Sequence, residues 1–148
     1  MKLFQIEEPD GSPVDPTAAG AAIGIDASSA ELEVAFSVGG NALVLADRDG
    51  FEQVLPAPDV AAEKIEWQAA LEAARTRAER ALARPVTHAV IVLARAPDAD
   101  TAHMMRDAAK GAGLEVLHLV PATEWPIGSS PALAAAMLAE DLAPPPET

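Results

Sequence analysis

HAVIVLARAPDADTAHMMRDAAKGAGLEVLHLV, residues 88–120, reads as a strand, a helix and a second strand, and that reading decides the fold. Its opening, HAVIVLA (88–94), is continuous and apolar, the pattern of a strand covered on both faces and so central in a sheet. Asp98 or Asp100 is placed to cap a helix running through Lys110, and Gly113 stands where helices often end on a left-handed residue. LEVLHLV (114–120) follows as a second strand, parallel to the first because a helical crossover joins them.

Upstream, the run from Asp59, a candidate N-cap, to Arg84 contains no glycine or proline and is rich in Ala, Glu and Arg, which predicts a helix ended by Pro85. Trp67, Leu71, Ala74, Ala78 and Leu82 recur at helical spacing as its buried stripe, and Glu63, Glu72, Arg75 and Glu79 solvate the other side. Before it stand three short strand patterns, AAIGID, ELEVAFSV and NALVLAD. Gly39-Gly40 joins the second to the third as a hairpin, and DRDG makes the next turn. Downstream, Ser130-Pro131 is a strong helix start, a capping hydroxyl followed by proline at the first helical position, and ALAAAMLAEDL runs to Pro144. An antiparallel meander followed by right-handed crossovers sets the later strands beside the first. The expected fold is α/β, a five-stranded mixed sheet of order 3-2-1-4-5 with helices packed on it, the ribonuclease H-like layout.

The chain has 148 residues, the size of one domain. Residues 1–20, acidic and punctuated by Pro and Gly, read as a leader, 21–143 as the single domain, and 144–148 as a Pro-rich tail. Half the residues are apolar but only 3% are aromatic, so the elements are expected to pack closely through alanine. A formal charge of -13 repels phosphate backbones and anionic membrane surfaces, which argues against nucleic acid and membrane as partners. There is no cysteine, hence no disulfide framework and no thiolate chemistry. The start, MKLFQIEEPD, is acidic where a secretory signal is apolar, and nowhere do eighteen apolar residues run together; a cytoplasmic protein is the expectation.

GID (24–26), VAF (34–36), the Gly39-Gly40 turn, DG (49–50) and a following proline match in spacing the first two hairpins of the DnaK-type heat-shock chaperone ATPase, a member of the actin-like ATPase superfamily. PVTHAVIV (85–92) and RDAAKGAGLEVL (106–117) are similar to that family's fourth strand and the helix and strand after it. The resemblance covers nearly everything but the leader, and it implies one half of one ATPase lobe. The family's inserted subdomain, its second phosphate loop D-x-G-G-G-T and its adenosine pocket have no counterpart in these residues.

Two motifs depart from the family. Its first phosphate loop reads G-I-D-x-G-T-T; here Gly24, Ile25, Asp26, Ala27, Ser28, Ser29 and Ala30 stand in those places. The resemblance implies Asp26 as the aspartate that holds magnesium through water, with Ser28 and Ser29 as a vestigial phosphate loop for Mg-ATP. A left-handed Ser28 would cost about 1–2 kcal/mol, and its Cβ would intrude on a phosphate. One carboxylate alone holds magnesium weakly, and aspartates at turns also bind turn amides. The family's E-P-T-A-A-A segment, whose glutamate positions the attacking water, resembles Ser130 to Ala135, with Ser130 in the glutamate's place. Glu124, a few residues upstream, is the candidate substitute. Of the three lysines, Lys2, Lys64 and Lys110, none falls near the loop.

Elsewhere, His103 and Asp107 stand four apart on a helix, which reads as a surface contact rather than a metal site, since zinc needs three or four ligands. His88 and His118 are isolated, and Met104 and Met105 with Ala108 and Ala112 form a packing stripe. Trp125 is a candidate anchor, against its own domain or against a partner. The functional expectation is a degenerate half-lobe, a pseudo-ATPase without turnover, acting as a protein-interaction or assembly module, with a homodimer as the natural consequence of its uncovered faces. The alternative is residual ATP or phosphate binding, or a ribonuclease H-like metal-dependent phosphohydrolase in which Asp98 or Asp100 joins Asp26 at a two-metal site.

Overall fold

The computed structural model describes residues 20–45, 55–59, 62–125 and 130–143. Nearly all of the leader, the DRDG turn and the Pro-rich tail lie outside the described residues.

Strands β1 (Ala21–Asp26), β2 (Glu33–Val38) and β3 (Asn41–Val44) form the antiparallel meander. Helix α1 (Lys64–Leu82) leads to β4 (Val86–Leu93), and α2 (Ala99–Gly111) joins β4 to β5 (Glu115–Pro121). A 3-10 turn over Ala122–Glu124 precedes α3 (Pro131–Leu142). The sheet order is β3-β2-β1-β4-β5, as the sequence pattern predicts, with β4 parallel to both β1 and β5.

Alternation along β1 divides the core. Ile23, Ile25 and Ala27 face a large cluster with Trp67, Leu71, Ala74 and Ala78 of α1 and Met105, Ala108 and Ala109 of α2. Ala22 faces the other way, with Val90, Val92 and Val120, against Ala135 and Ala139 of α3. β4 is buried from Ala89 to Leu93, which is why its sequence is a continuous apolar run. Close packing through small residues brings backbone against backbone at Gly24. A Cβ added there would stand 2.4 Å from the backbone nitrogen of Ala136 and 2.9 Å from the carbonyl oxygen of Ala132. The α3 backbone therefore lies directly on β1, and the alanine run in the helix makes that approach possible.

Several boundaries differ from expectation. Asp59 is not the N-cap of α1: the helix starts five residues later, with Glu63 at the cap position and no side-chain cap. The chain up to Asp59 is used otherwise. Residues 55–57 run antiparallel to 30–32, through Leu32 N to Leu55 O at 2.7 Å and Ala57 N to Ala30 O at 2.9 Å, and the Asp59 carbonyl accepts from the Trp67 indole nitrogen at 3.2 Å. α1 ends on Ala83, left-handed at φ 56°, before Arg84 and Pro85 are reached. Leu82 is only half-buried. β4 begins at Val86 rather than His88 because Val86 pairs with Ala21 at the start of β1. Gly113 has φ +89°, as its place after α2 predicts.

Candidate functional site

Because β1, β4 and β5 are parallel, their C-terminal ends, Asp26, Leu93 and Pro121, share one edge of the sheet. The start of α3 belongs to the same edge: Ala132 and Ala136 lie over Gly24, while Glu140 near the helix end reaches the β2–β3 turn at the opposite edge. Open α/β sheets place ligands beyond the carboxyl ends of their parallel strands. Asp26, Ser28, Ser29, Glu124, Trp125 and Ser130 are thus gathered on the edge where a site would be sought.

Asp26 is the side chain most drawn inward, only 6% exposed. Its Oδ1 accepts from the Ser28 amide at 2.9 Å and from the Ser28 hydroxyl at 2.5 Å. Both donors come from two residues along, so the carboxylate closes its own turn. The Ala27 amide meanwhile donates to the Val92 carbonyl at 2.8 Å, extending the sheet ladder past Asp26. Among the described residues Ala83 alone among non-glycines has a positive φ, so Ser28 is not left-handed and the steric cost weighed for it does not arise. Instead of cradling an outside anion, the Ser28 amide and hydroxyl face an internal carboxylate. Ser29 is exposed at the tip.

Ser130 caps α3, its hydroxyl accepting from the Leu133 amide at 3.3 Å, with Pro131 at the first helical position. Glu124 is exposed at the end of the 3-10 turn. Trp125 is half-buried, packed against its own domain's cluster around Val120 and Ala139. Asp98, and not Asp100, caps α2: its Oδ1 accepts from the Thr101 amide at 2.7 Å, and that hydrogen bond lowers its pKa below the ordinary carboxylate value. Among the described residues no three His, Asp or Glu side chains gather as a metal site would require. His103 Nε2 lies 3.4 Å from Asp107 Oδ2 on the surface, as their spacing predicts. His88 Nδ1 lies 2.7 Å from the Thr87 hydroxyl, and His118 is exposed.

Among the described residues, a further polar contact forms at a residue that the sequence does not single out. Glu140 Oε1 accepts from the Ser37 hydroxyl at 2.8 Å and the Gly40 amide at 3.1 Å, and Oε2 accepts from the Gly39 amide at 2.6 Å. Successive left-handed glycines, at φ +60° and +83°, turn both amides to the same side, forming a concave anion site that a helix side chain fills. The Ser37 hydroxyl, then the two amides, lower the Glu140 pKa. One signal could have found it: α3 ends in Glu140 and Asp141 with no basic residue in its last turn, against the preference of a helix C-terminus for cations.

No protein-family model matches this chain, and no curated protein matches it. Among the described residues no helix is long and apolar enough to cross a membrane.

Proposed function

We propose that the chain is a ribonuclease H-like half-lobe, akin to the DnaK-type ATPases, that works as a non-catalytic protein-interaction module. One observation carries this reading: Asp26 Oδ1 is engaged by both the amide and the hydroxyl of Ser28. In the family resembled, that aspartate serves magnesium and that loop serves phosphate. Here each satisfies the other, and a nucleotide would have to break two hydrogen bonds, each worth about 1 kcal/mol or more, before making its own. Ser130, in the place of the water-positioning glutamate, is committed to the α3 cap. The strand order and the placement of α3 opposite α1 and α2 support the ribonuclease H-like assignment.

Calorimetric titration with Mg-ATP and Mg-ADP, paired with a thermal-shift series, is the test. The expected outcome is no saturable heat and no change in melting temperature at millimolar nucleotide. Stoichiometric binding that Asp26→Ala abolishes, or steady ATP turnover, would overthrow the reading.

A further inference from the structure

Beside α1 lies an apolar groove of about 460 Å³, well away from the Glu140 clamp. One wall is the extended segment 55–58 with Leu32 behind it, and the other is the helix stripe Ala69, Ala70 and Ala73. Alanines at these three positions on one helix face let an incoming chain approach the helix backbone closely, and the volume suits a few aliphatic side chains. The groove is open and carries acids around it. Glu66 lines its mouth, exposed Glu63 stands three residues before it at the N-cap position without a side-chain cap, and exposed Glu31, next to Leu32, is paired through its backbone with Pro56 in the far wall. Lys64, two positions before Glu66, projects from another side of the helix.

We propose that this groove docks a segment of a partner protein in which aliphatic side chains alternate with lysine or arginine. The proposal rests on the reading of the chain as an interaction module and names the partner chemistry. Alternation follows from the site: an extended or amphipathic segment can seat aliphatic side chains between the alanine stripe and Leu55 while its intervening cations meet Glu31, Glu63 and Glu66. Charge selects against a second copy. Each copy carries a formal -13, so self-docking would bring acidic rims together, whereas a basic partner is steered in.

Fluorescence anisotropy with the full chain and three labelled peptides of equal length tests this: alternating Leu/Lys, alternating Leu/Glu and alternating Ser/Lys. The Leu/Lys peptide is expected to bind saturably, weaken with added salt and exceed the other two by about tenfold or more, the scale of one good buried contact. Ala69→Arg, at an exposed position, is expected to abolish that preference by filling the groove with a cation, Ala69→Leu to leave the fold intact as a control, and Glu66→Lys to weaken binding. Equal binding of Leu/Lys and Ser/Lys, indifference to Ala69→Arg in a folded variant, or a dimer in sedimentation that Ala69→Arg converts to monomer would each overturn the assignment. Nucleotide titrations run alongside separate the two readings. Binding of neither peptide nor nucleotide overturns the groove alone, while nucleotide turnover overturns the module reading whatever the peptides do.

Discussion

Each turn flanking β2 is closed by a carboxylate, and the two differ in where it comes from. At the β1–β2 turn, Asp26 accepts from Ser28, two residues along. At the β2–β3 turn, Glu140 reaches Gly39 and Gly40 from about a hundred residues away, on a different element. The first contact needs only its own short stretch of chain. The second exists only while α3 is docked on the sheet, so it reports tertiary structure where the first reports local conformation. A local turn costs little chain entropy to form, whereas a contact across the whole domain is available only after the intervening chain has been ordered.

Gly24→Val should have the largest effect on the two turns. The added side chain meets the α3 backbone rather than a flexible group, so the helix must lift from β1, with an expected loss of about 3 kcal/mol or more in urea unfolding. Amide hydrogen exchange then separates the two turns: Gly39 and Gly40 should lose protection while the Ser28 amide keeps its hydrogen bond. Equal loss at both would mean that the Asp26 turn also depends on α3.

Glu140→Ala is expected to act next most strongly, lowering the melting temperature and exposing the Gly39 and Gly40 amides; Glu140→Gln, which keeps the shape but not the charge, should do so less. The same contact gives a pH dependence. Because the folded-state pKa of Glu140 lies below its ordinary value of 4.5, its contribution is fully present above that value and lost as pH falls through the lower, folded-state value. Wild type should therefore lose more stability than Glu140→Gln between neutral pH and pH values below 4.5, measured by parallel thermal melts.

Asp26→Ala should cost about 2 kcal/mol, the scale of the two hydrogen bonds it accepts from Ser28, with Asp26→Asn costing less because its amide oxygen still accepts. Neither should change exchange at Gly39 and Gly40. The smallest effect is expected of Gly39→Asn, since asparagine visits φ near +60° with little strain and the clamp uses the backbone amide. A chemical-shift map confined to the turn would bear this out; a shift at Glu140 would show that the side chain at residue 39 matters.

The elements themselves were legible where a local rule governs them. The apolar run of β4 announced its burial, Ser130-Pro131 announced the start of α3, and Gly113 announced the end of α2. The rule failed at Asp59, a good capping residue that stands five residues before α1 begins, its carbonyl accepting from the Trp67 indole instead. The candidate site was legible in part. GIDASS marks a turn with an acceptor and two hydroxyls, but whether those groups look outward to an anion or inward to one another depends on the backbone path, which no residue count supplies. The groove beside α1 was not legible, because its walls join LPAP (55–58) and an alanine stripe that ordinary periodicity assigns to a bland helix face.

By itself, then, the order of apolar runs, caps and glycines determined the strand sequence, the helix count and the sheet order, since alternation, helical periodicity and crossover handedness act over short stretches of chain. Only the folded domain decided that Glu140 would hold the Gly39-Gly40 turn, that Gly24 would be needed for helix contact, and that an apolar groove would open between α1 and residues 55–58. Those outcomes depend on which surfaces meet once distant segments pack, and side chains far apart in sequence acquire partners only then.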